Sequence, residues 1–325
     1  MKVLIMTLQE RVEHYYDLSS LPSDWQLIFS HYEKDVAKLL KLAGDAEAIF
    51  VDAIEPVPAA LIEQMPRLKI IHSEGVGYEA IAVDAATRHG IYVCNNRGIN
   101  SSAVAEQTIL LLLACLRRLV IGDAMVRLGR QIEAKAAWSL EGLSELAGLQ
   151  IGLVGMGAIA KETAKRLYAF DCQVHYYSRT PLTLAQEEAY HAHYLPLDDL
   201  LRRSDVVSLH IPAHKDTYHF MDAAAFAKMK PGAIFLNTAR GDLVDQAALC
   251  NALSSGTLAA AGLDTITPEP VKMDNPLLQL PPDCASKITF SPHIAGITKQ
   301  AFRRMHQTVW QNFLAVSRGE IPCNI

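Results

Sequence analysis

The sequence predicts an α/β protein made of two doubly wound parallel-sheet domains. Three observations predict it: the chain length, two successive series of alternating strand-like and helix-like runs, and a glycine-rich turn at the head of the second series. A chain of 325 residues is too long for one small core and suits two domains. Half of the residues are hydrophobic and a fifth are charged, the balance of an ordinary soluble globular protein.

The first series occupies residues 1–100. Residues 3–6, 48–51, 68–72 and 91–94 are short apolar runs that read as strands, and residues 35–43 and 58–64 carry helical patterns between them. Alternation of this kind argues for a parallel sheet covered by helices. A long helical pattern follows over 101–128, with Ser101 or Ser102 as a candidate N-cap and Glu106 in its early turns. The second series has strand candidates at 150–154, 173–177, 206–210, 233–237, 259–263 and 288–290. Six such runs suit a complete nucleotide-binding sheet. Residues 295–319 form a last helical pattern with no strand after it, suited to packing back on the first domain. No linker of low complexity and no fixed-period repeat is found. The expected organisation is therefore a Rossmann dinucleotide-binding domain over 101–294, inserted into a flavodoxin-like substrate domain of residues 1–100 and 295–325. A cleft between two α/β domains is the natural place for a substrate.

The turn Gly155-Met156-Gly157-Ala158-Ile159-Ala160 follows the strand run 150–154 and opens a helical run over 158–170. Strand, Gly-x-Gly-x-x-Ala and helix together build a dinucleotide site. The first glycine permits the tight turn, and the second lets the backbone approach a pyrophosphate. The small third residue lets helix and strand pack closely, and the helix N-terminus attracts the anion. An acidic residue about 20 positions further on normally holds the ribose 2′-hydroxyl. Here the second strand ends in Ser178-Arg179-Thr180, with no carboxylate at its tip. An acid would repel a 2′-phosphate and an arginine pairs with it, so NADP is expected over NAD.

Other classes are disfavoured. A net charge of -5 offers no basic footprint for nucleic acid, and Arg202-Arg203 and Arg303-Arg304 are short solvated clusters. The six cysteines form no C-x-x-C pair and no metal-like spacing, so reduced thiols in the cytoplasm are expected, with no metal. The N-terminus lacks a signal-peptide pattern and reads as a first strand. The longest apolar stretch, 109–116, is far short of the roughly 20 residues a bilayer span needs.

Three polar residues fall just past strands of the second series: Arg240 in Asn237-Thr238-Ala239-Arg240-Gly241, Glu269 in Thr267-Pro268-Glu269-Pro270, and His293 in Ser291-Pro292-His293-Ile294. Doubly wound sheets place ligands at such strand ends. Hydride transfer to a 2-oxoacid requires these residue types. A guanidinium grips the carboxylate and polarises the carbonyl. An imidazolium supplies the proton, and a carboxylate beside it favours the charged form.

These motifs resemble those of the D-isomer-specific 2-hydroxyacid dehydrogenase family. The likeness spans nearly the whole chain, through Gly75-Val76-Gly77, Asn100 with Val104-Ala105-Glu106-Gln107-Thr108, the glycine turn, Leu209-His210-Ile211-Pro212, and the motifs of Arg240, Glu269 and His293 up to Gly296. The resemblance implies that Arg240 binds substrate, His293 is the acid/base and Glu269 its partner. It implies that the backbone N–H groups of Val76 and Gly77 hold the substrate carboxylate. Thr108, Gly155, Gly157, Ala158, Ile159, His210, Pro212, Thr217, Thr238, Ala239, Asp264 and Gly296 would line the cofactor, beside Ser178, Arg179 and Thr180. It further implies a homodimer, with the helix after Asn100 at the interface. The expected activity is reduction of a 2-oxoacid to the (R)-2-hydroxyacid with NADPH preferred. Candidate substrates are glyoxylate, hydroxypyruvate or a larger 2-oxoacid.

Departures from the family pattern also matter. Glu79 and Ala80 replace the common Asp-Asn after the Gly-x-Gly, and Arg97 replaces the usual proline before Gly98. Glu74 stands beside the expected anion site. Of its two orientations the sequence favours the solvent-facing one, whereas a carboxylate facing the cleft would disfavour a second negative charge such as a phosphate. For that reason, and because the extra regulatory domain common in phosphoglycerate dehydrogenases is not expected before Ile325, a phosphoglycerate dehydrogenase-like enzyme is a secondary reading. A non-turnover NAD(P)-sensing protein of the corepressor type is another, because such relatives keep the triad. Formate dehydrogenases carry a glutamine where this chain has Glu269.

Overall fold

The structure, a computed structural model, describes residues 1–31 and 33–323. The terminal Asn324 and Ile325, assigned above to the substrate domain, lie outside the described residues. The chain divides into two compact units, one of Met1–Asn100 with the segment from Ile297 on, the other of Ser101–Gly296.

The first unit is built on five parallel strands: β1 (Lys2–Met6), β2 (Gln26–Phe29), β3 (Ala48–Val51), β4 (Ile70–Ser73) and β5 (Tyr92–Cys94). Their order is β2-β1-β3-β4-β5, the flavodoxin-like winding. All residues of β3 and β4 are buried, as parallel strands covered on both faces should be. On one face, Leu4, Ile49 and Ile71 pack with Leu39, Leu61 and Ile62. On the other, Val3, Ile5 and Phe50 meet Val309, Trp310 and Phe313 of the helix Lys299–Ser317. That helix begins later than its periodicity suggests, with Thr298 capping it through Ala301 N. The strand β2 is absent from the sequence-based expectation. It is an edge strand paired only with β1, and none of its residues is fully buried, so its apolar run is short.

The second unit carries seven parallel strands: β6 (Gln150–Val154), β7 (Gln173–Tyr177), β8 (Ala192–Tyr194), β9 (Val206–Leu209), β10 (Ala233–Asn237), β11 (Leu258–Leu263) and β12 (Ile288–Phe290). Their order is β12-β11-β10-β9-β6-β7-β8, a complete Rossmann sheet with one strand added at the β12 edge. Alternate side chains divide between two cores. Ile151, Leu153, Ile234 and Leu236 join one, with the helices Ser101–Leu116 and Ala158–Tyr168 over them. Val154, Val207, Leu209 and Phe235 join the other. The strand missing from the sequence-based expectation, β8, is a three-residue edge whose Ala-His-Tyr sequence carries no apolar run.

The helical pattern over 101–128 is not one helix. It divides into Ser101–Leu116 and Leu119–Arg127, with Arg118 between them in the left-handed conformation (φ 49°), and a further helix Gln131–Glu141 follows. Ten residues of the first piece are buried and none of the second, so tertiary burial supports only the first. Ser101 is already helical, and the Ser102 hydroxyl bridges Glu106 (3.2 Å) and Arg166 (2.6 Å) instead of capping. Among the described residues no helix is long and apolar enough to cross a membrane.

Candidate active site

Arg240, Glu269 and His293 follow β10, β11 and β12, three neighbouring strands, at their carboxyl ends. Each loop is braced by a buried polar side chain. Asn237, the last residue of β10, donates from Nδ2 to the Arg240 carbonyl (2.8 Å) and accepts from Ala239 N (3.0 Å). A Cβ at Gly241 would lie 2.5 Å from the Ile266 carbonyl carbon and 2.6 Å from Thr267 N, so the Arg240 loop and the Glu269 loop touch only because this residue is glycine. Thr267 O is held in turn by Gln246 Nε2 (2.7 Å) and Asn275 Nδ2 (3.0 Å). Asp264, 2 % exposed, accepts from Ser291 Oγ (2.5 Å), Ile294 N (3.0 Å) and Ala295 N (2.9 Å), while its carbonyl accepts from His293 N (2.8 Å). These bonds hold His293 at φ 54°, a left-handed conformation that costs a non-glycine residue about 1 kcal/mol. The carboxylate of Asp264, expected among the cofactor contacts, is thus committed to the His293 loop. Neither Asn237 nor Asp264 was expected to act as a brace. Both end or follow a strand within a motif, but the sequence does not say where their oxygens point.

His293 Nδ1 lies 2.9 and 2.8 Å from the two carboxylate oxygens of Glu269. Both side chains are part-exposed, 40 % and 39 %. Glu269 accepts only, so Nδ1 carries the donated proton and Nε2 is left to exchange one with a bound molecule. Arg240, on the adjacent loop, is half-buried and steadied by a bond from Nη1 to Ala239 O (2.8 Å). The arrangement offers an oriented imidazole for proton transfer and a guanidinium for an anion or a carbonyl oxygen.

The glycine turn fits a nicotinamide dinucleotide. Gly155 has φ 99°, and a Cβ there would lie 2.6 Å from His210 O, so only glycine is accommodated. A Cβ at Gly157 would meet nothing within 4 Å, which leaves an open approach to the helix Ala158–Tyr168. No side chain caps that helix, so the first-turn N–H groups around Ala158 and Ile159 are available to phosphate. At the tip of β7, Ser178 Oγ donates to Thr180 O (2.6 Å), while Arg179 is exposed with no ion pair among the described residues. Thr108 and Thr238 are buried and joined through their hydroxyls at 2.9 Å. Burial pushes the His210 imidazole down to about 4 and keeps it neutral; its Nε2 lies 3.0 Å from Ser208 Oγ. Thr217 Oγ1 donates to Pro212 O (2.8 Å), closing that loop. Ala239 and Gly296 are half-buried at the same edge.

In the first unit the Gly75-Val76-Gly77 turn follows β4. Its carbonyls face inward: Asn96 N donates to Gly75 O (2.8 Å), Asn95 Nδ2 to Val76 O (3.0 Å) and Ser73 Oγ to Gly77 O (2.5 Å). The N–H groups of Val76 and Gly77 have no hydrogen-bond partner among the described residues; Val76 is half-buried and Gly77 buried.

Glu74 does not face solvent. It is 4 % exposed and accepts from Thr7 Oγ1 (2.9 Å) and from Arg11, with His306 Nε2 at 2.9 Å. Arg11 also pairs with Asp52. Burial opposes the charge of Arg11, but Glu74 and Asp52 outweigh it and raise its pKa. Residues 7–15 and 74–80 were expected to contribute to the pocket mouth, but Asp52 and His306, which arrive from separate elements, were not. The sequence signal for Asp52 is a charged residue placed directly after the buried strand β3, whereas His306 lies within a helix and carries none.

Residues 109–295 match the family model of the D-isomer specific 2-hydroxyacid dehydrogenase, NAD binding domain. The glyoxylate reductase of Thermococcus litoralis is 39 % identical over 289 residues, covering 88 % of this chain and 85 % of that protein. That of Thermofilum pendens is 37 % identical over 285 residues, covering 88 % and 82 %. Among solved structures, the apo D-mandelate dehydrogenase of Rhodotorula graminis superposes with a TM-score of 0.87 at 28 % identity, covering 99 % of this chain and 96 % of that one. Fold, open glycine turn and matches together make the chain a nicotinamide-dependent oxidoreductase. It belongs to the D-isomer-specific 2-hydroxyacid dehydrogenase family.

Proposed function

We propose that the protein reduces a small 2-oxoacid to the (R)-2-hydroxyacid, preferring NADPH. The observation that carries this is the His293–Glu269 pair, part-exposed and set beside Arg240 on adjoining strand ends. The N–H groups of Val76 and Gly77 bind the substrate carboxylate. Arg240 holds the substrate and polarises its carbonyl oxygen. When bound, the reduced nicotinamide supplies hydride to the carbonyl carbon. His293 donates the proton from Nε2 to the forming alkoxide, and Glu269 stabilises the charged imidazole and holds its orientation. In reduction His293 starts protonated; in oxidation it starts neutral. Glyoxylate is the first substrate to try, since relatives at 37–39 % identity are glyoxylate reductases. Hydroxypyruvate and larger 2-oxoacids complete the series.

NADPH preference rests on Arg179, exposed at the tip of β7 and without an ion pair among the described residues. A panel of 2-oxoacids measured as kcat/KM with NADPH and with NADH tests both parts. No turnover on any member refutes the activity, and an NADH preference refutes the cofactor assignment. Arg179→Ala should raise KM for NADPH about tenfold, as loss of a charge-assisted bond predicts, with little change for NADH.

The protein is also proposed to be a homodimer. The helices Leu119–Arg127 and Gln131–Glu141 bury only Ala134 between them, yet expose Leu119, Val120, Leu128, Ile132 and Leu140 along or beside them. Such a patch marks an interface. A solution mass equal to a single 35.7 kDa chain would refute it. A cytoplasmic setting is supported by six unpaired cysteines, several of them buried.

A further inference from the structure

The carboxyl edge of the first sheet holds a charge cluster that proton transfer does not use. Thr7, Asp52 and Glu74 each stand one position past a strand, after β1, β3 and β4, which are neighbours in the sheet. Arg11 and His306 reach in from the flanking helices Gln9–Tyr15 and Lys299–Ser317. One guanidinium nitrogen, Arg11 Nη2, meets Thr7 Oγ1, Asp52 Oδ2 and Glu74 Oε2 together. The other oxygen of Glu74 faces His306 Nε2 at 2.9 Å. Two carboxylates thus surround one guanidinium. The cluster carries a net charge of minus one with His306 neutral and zero with it charged, so it is never positive.

Position makes that sign matter. Ligands of doubly wound sheets enter outside the carboxyl ends of the strands. Glu74 leads directly into Gly75-Val76-Gly77, whose free N–H groups form the proposed carboxylate grip. Within the cluster a second anionic group finds no uncompensated cation, because Arg11 is already claimed by two carboxylates. It would be desolvated against Asp52 and Glu74, a repulsive arrangement that selects by exclusion. A hydrogen, methyl or hydroxymethyl group meets no such penalty.

We infer that the Glu74–Arg11–Asp52 cluster is a specificity filter that restricts the enzyme to monocarboxylate 2-oxoacids by rejecting a second anionic group. The inference rests on the 2-oxoacid reading above. Glu74 and Asp52 act here as specificity-determining residues and take no part in the reaction.

Matched pairs test it with the holoenzyme and NADPH: 2-oxobutanoate against oxaloacetate, and 2-oxopentanoate against 2-oxoglutarate. The wild type should favour the monocarboxylate in kcat/KM by about 100-fold, the scale of a unit charge repelled several ångströms away at a protein edge. Glu74→Gln keeps an acceptor for Arg11 and Thr7, and its amide can donate to His306 Nε2, so the shape of the cluster is retained. It should narrow the ratio about tenfold, through KM of the dicarboxylate more than through kcat. Asp52→Asn, at a more exposed site, should narrow it in the same direction by less, and serves if the first variant fails to fold. Equal use of both acids by the wild type, or a ratio unmoved in the folded variants, overturns the filter and leaves the activity standing. A wild type that reduces no 2-oxoacid overturns the activity itself, and the filter with it.

Discussion

Two histidine–carboxylate pairs occupy the two units, and they are chemically the same pair. His293 and Glu269 meet at 2.8 Å, His306 and Glu74 at 2.9 Å. Their surroundings are opposite: the first pair is 40 % and 39 % exposed, the second 0 % and 5 %. A proton can enter and leave the first through Nε2. In the second, Nε2 is the nitrogen bound to the carboxylate, and Nδ1 is buried without a hydrogen-bond partner among the described residues. The backbone differs as well. His293 sits in a left-handed loop conformation imposed by Asp264, whereas His306 lies within a helix of nineteen residues. Access, and not the identity of the two groups, separates a group suited to chemistry from one suited to holding a sheet edge together.

Substitution breaks the comparison most sharply. His293→Ala should lower kcat about 1,000-fold, the range for loss of a general acid, with the melting temperature nearly unchanged. His306→Ala should do the reverse in kind. It strands Glu74 beside a cavity and should remove about 3 kcal/mol of stability, read by urea unfolding. If His306→Ala proved as stable as the wild type, the buried pair would lose its structural role. Glu269→Gln should lower kcat by about 100-fold, less than loss of the histidine, and should flatten the pH profile. Opposite pH trends are expected for the two directions, with reduction falling and oxidation rising as pH increases.

A smaller effect concerns two histidines held below their ordinary pKa. Burial pushes His72 in the first unit and His210 in the second down to about 4, from an ordinary value of 6.5. The unfolded chain therefore takes up these protons before the folded one does. The stability this represents is complete above pH 6.5 and is lost as pH falls toward 4, at up to about 1.4 kcal/mol per pH unit for each histidine. Urea midpoints at pH 7, 6 and 5 measure it, and a constant midpoint would contradict it.

Central strands were legible in the sequence because burial on both faces leaves a continuous apolar run, as in Ala48–Val51 and Ala233–Asn237. The edges β2 and β8 were not, since a half-covered strand needs no such run. The break at Arg118 was also hidden, because neither glycine nor proline marks it. Within the site, Arg240, Glu269 and His293 could be picked out because each follows a strand in a recognisable motif. The direction of a side chain could not. Asp264 turns to the His293 loop and Glu74 turns inward, and both outcomes depend on partners 27 to 232 positions away in the chain.

The placement of Arg240, Glu269 and His293 in the loops after β10, β11 and β12 has a consequence for how such a protein can diversify. Neighbouring strands lie about 4.8 Å apart wherever a sheet forms, so the spacing of the three loops is set by main-chain pairing within one unit. Asn237, Gly241 and Asp264, which trim that spacing, belong to the same unit. On the proposed reading, a substitution at Glu74 or Asp52 in the other unit alters what is admitted while leaving these three loops in place. Selection can therefore act on appetite and on chemistry as separately heritable traits.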